Sequence, residues 1–188
     1  KKHSFEDMAA AAQWVAESGW GRPDQICISG GSAGGLLVGA TVNRWPERVG
    51  AVLAMVPFVD CLNTMLDASL PLTIGEYDEW GNPAEKRYYD EMLAYTPYEN
   101  VAESAYPPML VTAGLNDPRV GFWEPAKWVA RLRHRKTDDN TILFKVTLGA
   151  GHQGPSGRYG VLEEFAYLYA WVLNVLPPAG SRFRGANP

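Results

Sequence analysis

At 188 residues the chain has room for one compact domain and little room for two. Hydrophobic residues make up 46% of it and charged residues 20%, the usage of a folded globular chain, which excludes disorder as its general state. The net charge of −4 argues against a nucleic-acid partner, which needs a basic face, and no apolar run is long enough to span a membrane.

Two cysteines, Cys27 and Cys61, are too few for a disulfide framework and read as reduced thiols of a cytosolic chain. The amino terminus lacks the layout of a signal peptide, since Lys1-Lys2-His3 leads into Ser4 and the acidic Glu6-Asp7. It opens inside a helical pattern without an initiator Met, so a processed chain or a piece of something longer is expected.

Residues 4–18 form an amphipathic helix, capped by Ser4, with Glu6 and Asp7 in its first turn and Gly19 as its stop. A short strand follows at 25–29, bounded by Pro23-Asp24 and Gly30-Gly31, and then a helix from 33 to about 45, closed by Pro46. The continuous apolar run at 49–56 is expected of a strand buried on both faces. Residues 57–83 read as a long, irregular, acidic insert, followed by a helix around 84–94. A third strand lies at 108–113, a long helix at 123–135, a fourth strand at 142–148, and a closing helix at 159–176 ended by Pro177-Pro178. The tail at 179–188 is small, polar and expected to be disordered. Strands alternating with helices give an α/β fold, a parallel sheet with helices on both faces.

Between the first strand and the second helix stands Gly30-Gly31-Ser32-Ala33-Gly34, a G-x-S-x-G sequence in the strand–turn–helix context of a nucleophile elbow. The turn is tight, so the glycines spare it side chains that would strike the strand or the helix. It lifts the Ser32 hydroxyl above the sheet edge, and the Ala33 N–H, at a helix N-terminus, points where an oxyanion would develop.

A serine hydroxyl needs a base near neutral pH. Of three histidines, His3 sits at the exposed terminus and His134 in the basic run Arg131 to Lys136, explained by charge at a helix C-terminus. His152 lies in the glycine-rich loop Gly149-Ala150-Gly151-His152-Gln153-Gly154 after the fourth strand, where open α/β sheets place working groups. The base needs an acid to fix its tautomer, and Asp117, in the loop after the third strand, supplies it. Asp60, before the insert, and Asp138-Asp139, in a turn with Asn140, are weaker rivals. The order Ser32, Asp117, His152 is that of the α/β-hydrolases.

Further stretches carry a resemblance: Val56-Pro57-Phe58-Val59-Asp60, Thr64-Met65-Leu66-Asp67, Gly75-Glu76-Tyr77-Asp78-Glu79-Trp80-Gly81-Asn82-Pro83, Trp123-Glu124-Pro125-Ala126-Lys127-Trp128 and the loop around His152. With the elbow, they make the chain similar to the C-terminal part of the catalytic domain in the prolyl oligopeptidase family of serine peptidases, in its oligopeptidase B branch. The likeness runs from about Phe5 to Leu173.

The resemblance implies an α/β-hydrolase truncated at its N-terminal side, cleaving short peptides after Arg or Lys through an acyl-enzyme, in the cytosol, with no metal or cofactor. It implies that Glu76 and Asp78 bind the basic side chain, with Asp78 one methylene shorter than the usual Glu. It also implies that Arg119 contacts a substrate carbonyl.

Absent from the chain are the family's β-propeller, the first strands of the sheet and an upstream tyrosine that serves as second oxyanion donor. The loss of one such donor costs roughly 10²–10³ in turnover. The missing N-terminal part of the same enzyme is therefore an expected partner. An apolar edge strand left open would favour a homo-oligomer or covering by another chain. Two other readings stay open, a simple carboxylic-ester hydrolase and a catalytically weak fragment that associates through its sheet edge.

Overall fold

Four short segments, the central two buried on both faces, form a single parallel sheet. They are β1 (Cys27–Gly31), β2 (Ala51–Met55), β3 (Met109–Gly114) and β4 (Ile142–Thr147), paired in the order β1-β2-β3-β4. The computed structural model describes residues 1–178, without the side chains of Lys2 and Arg158. The tail at 179–188, expected to be disordered, lies outside the described residues. Gly31 pairs with Met55, Met55 with Thr112 and Gly114 with Thr147, so the carboxyl ends of all four strands come out on one side.

The helices are α1 (Lys2–Glu17), α2 (Ala33–Arg44), α3 (Cys61–Leu66), α4 (Tyr77–Trp80), α5 (Lys86–Leu93), α6 (Trp123–Arg135) and α7 (Arg158–Val175). A sheet wound in one direction by right-handed crossovers collects its connecting helices on one face. There Val38 and Val42 of α2 and Trp128 and Leu132 of α6 pack against Ile28, Val52, Val111 and Ile142. The opposite face, built from the alternate strand positions Ala51, Leu53 and Leu110, is covered by Leu168 and Trp171 of α7. Helices on both faces of a parallel sheet are thus as expected.

Three expectations about local structure need correction. Helix α1 begins at Lys2, so Ser4 lies inside its first turn and caps nothing; Gly19, at φ +81°, does end it. Strand β1 starts only at Cys27, because Pro23–Gln25 forms a 3₁₀ turn. The stretch 57–83 is not irregular throughout. Cys61, Leu62 and Met65 bury one side of α3, and the 3₁₀ turn Ile74–Glu76 runs into α4. The basic run at the end of α6 is engaged by neighbouring segments, a different reason from the helix C-terminal charge expected for it. Arg133 donates to Ile142 O at 2.7 and 3.0 Å, and Arg131 meets Glu99 at 3.4 Å.

β1 forms one edge of the sheet, but its exposed positions are Ser29 and Gly31. The larger exposed apolar surface is on α7, where Leu162, Phe165, Tyr169 and Leu173 follow helical spacing along the side away from the sheet. No helix among the described residues is long and apolar enough to cross a membrane.

Candidate active site

Ser32 sits between β1 and α2 with φ +54° and ψ −122°, a conformation that strains a side-chain-bearing residue by about 1–3 kcal/mol. The elbow is over-determined by its neighbours, which is what sustains such strain. Ser32 N donates to Met55 O at 3.0 Å, and Ser32 O accepts from Phe58 N at 3.0 Å as well as from Gly35 N at 2.8 Å. Two glycines are required by space. A Cβ on Gly30 would overlap the Gly34 carbonyl, and one on Gly35 would overlap Pro57. Gly34, the second glycine of the motif, has nothing within 4 Å of that position, so the steric reason expected for it does not hold. Ala33 is the first residue of α2, and its N–H belongs to the set with no intrahelical acceptor.

The loops after β3 and β4 lie against each other and carry the other two residues. Asn116 N donates to Ala150 O at 3.1 Å, and the Asn116 side chain donates to Leu148 O at 3.1 Å. Asp117 Oδ2 lies 2.7 Å from His152 Nδ1, with both side chains almost wholly buried. Asp117 Oδ1 accepts from Arg119 N at 2.8 Å and Val120 N at 3.0 Å, which fixes the carboxylate plane. With Nδ1 bonded to a carboxylate acceptor, the proton resides there and Nε2 is the basic nitrogen. Ser32 Oγ makes no hydrogen bond among the described residues.

The rivals go elsewhere. Asp60 is bound by Asn63 at 2.7 Å and by Lys127. Asp138 accepts from Tyr106 N and Asn140 N, each at 2.7 Å. His3 and His134 are exposed, and His3 meets only Glu6.

The approach of the two loops depends on Gly114. A Cβ there would lie 2.5 Å from Gly151 O and 2.6 Å from Ala150 O. Gly114→Ala should push the His152 loop outward, and a displacement of about 1 Å at a reacting group costs about 10²-fold. A loss of that size in kcat/KM is expected, without a comparable loss for Gly34→Ala; equal effects would show a general cost of losing glycine instead.

Ser32, Asp117 and Arg119 line a cleft of about 260 Å³ whose apolar walls include Phe58, Met65, Val120 and Trp123. Glu76 also faces it, half-buried, with Trp80 Nε1 donating to its Oε2 at 2.6 Å. Asp78 does not line this cleft; it lies with Glu79 and Lys1 in an adjoining groove that Glu76 and Ala33 share. Of the two acidic residues expected to act together, only Glu76 reaches the space beside Ser32.

The sequence reading assigned no role to Glu124, which is 1% exposed and lines the cleft. It sits on the buried side of α6, one and two turns before Trp128 and Leu132, and that spacing was the available signal. Its Oε2 accepts from Asp60 N at 3.0 Å and its Oε1 from the Thr64 hydroxyl at 2.6 Å. Burial pushes the carboxyl up to about 7, against the lowering effect of those hydrogen bonds, with the nearby Asp60 charge adding to the rise. Among the described residues no group of His, Cys, Asp and Glu is arranged to hold a metal ion.

Comparison with known proteins gives the family and the fold. Protease 2 of Moraxella lacunata is 50% identical over 94% of the chain, which corresponds to 26% of the relative. Oligopeptidase B from Leishmania major is 47% identical with a TM-score of 0.91, over 93% of this chain and 24% of that one. Oligopeptidase B from Trypanosoma brucei, solved with covalently bound antipain, is 46% identical with a TM-score of 0.89, over 94% of this chain and 25% of that one. The chain thus spans about a quarter of the length of these relatives. The model of the prolyl oligopeptidase family matches residues 1–178, and the chain belongs to that family.

Proposed function

We propose that the chain carries the catalytic residues of a serine oligopeptidase that cleaves short peptides after Arg or Lys. The observation that carries this reading is the buried Asp117–His152 pair at 2.7 Å beside a cleft lined by the elbow serine and by Glu76. His152 Nε2 takes the Ser32 proton as Oγ attacks the carbonyl carbon. The tetrahedral oxyanion is met by the Ala33 N–H, and Asp117 stabilises the imidazolium. The amine then leaves with the proton from His152, and water, activated by the same imidazole, releases the acyl group from Ser32.

Glu76 meets the substrate guanidinium or ammonium, Asp78 adds negative charge from the adjoining groove, and Arg119 contacts a substrate carbonyl. No metal or cofactor is used. The substrate partners are short basic peptides, and the region that relatives carry upstream supplies the remaining oxyanion donor. A cytosolic location fits the two free thiols, which burial pushes up to about 11 at Cys27 and about 12 at Cys61.

The test is fluorophore release from a blocked arginyl amide beside its citrullyl counterpart, equal in shape and uncharged, and beside a neutral short-chain ester. Preferential arginyl cleavage is expected. Prompt ester hydrolysis with indifference to the arginyl amide would assign the triad to a simple esterase. Silence on all three, together with concentration-dependent self-association, would mean a non-catalytic binding piece.

A further inference from the structure

The cleft that holds Ser32 is lined by two glutamates from distant parts of the chain. Glu76 enters from the 3₁₀ turn before α4, half-buried and open to solvent on the groove side. Glu124 enters from the first turn of α6 and is nine-tenths or more removed from solvent. We propose that Glu124 is the second, recessed carboxylate of the pocket for the basic side chain, and that it sets how strongly charge is preferred there. This rests on the reading of the cleft as a pocket for Arg or Lys.

Three features support it. Glu124 is the other acidic residue besides Asp117 and Glu76 that faces the cleft; each of its oxygens accepts one hydrogen bond, from Asp60 N and the Thr64 hydroxyl, and retains a free lone pair, whereas Asp117 is bound to His152 and two N–H groups. A carboxylate in a confined apolar setting acts on a nearby cation far more strongly than one in water. Glu124 is also tied to Glu76 through the pocket wall. It holds the Thr64 hydroxyl, the Thr64 carbonyl accepts from the Thr73 hydroxyl at 3.0 Å, and Thr73 O accepts from Glu76 N at 3.2 Å.

The charged and titratable groups around Glu124 decide when it is ionised. Asp60 and Cys61 face it from the start of α3, Lys127 from its own helix, and Glu76, Asp117 and Arg119 from the cleft. Lys127 is engaged by Asp60, so its charge is largely spent on that pair. Burial holds the Glu124 carboxyl up at about 7, so its negative charge grows as pH rises through that region. A guanidinium in the pocket favours the ionised form, so by linkage the charged substrate gains as pH rises through this range.

The experiment is the ratio of kcat/KM for the arginyl amide over the citrullyl amide, measured from about pH 6 to about pH 9 for the full-length protein, Glu124→Gln and Glu76→Gln. Any ionisation that acts on both substrates alike cancels in the ratio. The wild-type ratio is expected to rise by about tenfold across that range, the worth of one hydrogen bond to a charged group. Glu124→Gln should flatten the rise at the lower value, while Glu76→Gln should lower the ratio and keep the rise. A purely structural Glu124 would depress both substrates together and leave the ratio intact, which would overturn the proposal.

A ratio that falls with Asp78→Asn but not with Glu124→Gln would also overturn it. Should Glu124→Gln not fold, Glu124→Asp decides: it is expected to lower the arginyl-over-citrullyl ratio with citrullyl turnover little changed, and an unchanged ratio overturns the inference. A wild-type ratio near one at every pH would instead sink the peptidase-specificity reading itself.

Discussion

Ser32→Ala is expected to lower turnover of a blocked arginyl amide by about 10⁶-fold, the scale on which serine peptidases lose their nucleophile. The change isolates chemistry from folding. Ser32 Oγ has no hydrogen bond among the described residues, whereas its backbone N–H and carbonyl are held by Met55, Phe58, Gly35 and Leu36. Alanine bears the same Cβ at φ +54°, so the strain is unchanged and the elbow keeps its shape. The Asp117–His152 pair forms without the serine and remains. What is left is the Ala33 N–H and the cleft, worth a residual of roughly 10³–10⁴ over water. The checks are kcat under saturating substrate and loss of labelling by a serine-directed phosphonate, with an unaltered melting temperature. Full activity in the variant would remove Ser32 from the mechanism.

The features that were legible in the sequence are those whose signals are local. The elbow is one turn of chain, and the steric demand at Gly30 is written in neighbouring residues. The placing of His152 and Asp117 follows from a parallel sheet, which sends every strand's carboxyl end to the same side. Asp60 and Asp117 are harder to separate, since both follow strands. Only folding shows Asp60 occupied by Asn63 and Lys127 and Asp117 turned to His152.

The arrangement of acids was the least legible part. Glu76 and Asp78 are two residues apart, and where a 3₁₀ turn runs into a one-turn helix Glu76 borders both the cleft and the groove while Asp78 borders the groove alone. Glu124 is remote from both in the chain, and a glutamate in a helix first turn ordinarily favours the dipole from a solvated position. Its burial comes from the start of α6 lying against the Val59–Thr64 segment, a non-local event. The i, i+4, i+8 alignment with Trp128 and Leu132 hints at it only once α6 is known to be buried on that side.

Asp117→Asn is expected to lower kcat by about 10⁴-fold while leaving the fold intact, by trapping the wrong imidazole tautomer. The hydrogen bonds around Asp117 fix which way the amide must point. Arg119 N and Val120 N both donate to Oδ1, so the amide oxygen of an asparagine must take that place. Its NH₂ group then faces His152 Nδ1, where the carboxylate oxygen had been. Two donors cannot share that bond, so Nδ1 becomes the acceptor and the ring proton moves to Nε2. Nε2 can no longer take the Ser32 proton. The reverse flip would restore the tautomer at the cost of aiming an NH₂ at two backbone donors in a buried site, about 1–3 kcal/mol for each unmet group. The defect should therefore appear in kcat with KM little changed, and Asp117→Ala should add a loss of stability, because the Arg119–Val120 turn loses its acceptor. An asparagine variant with wild-type kcat would mean that His152 is oriented by something other than Asp117.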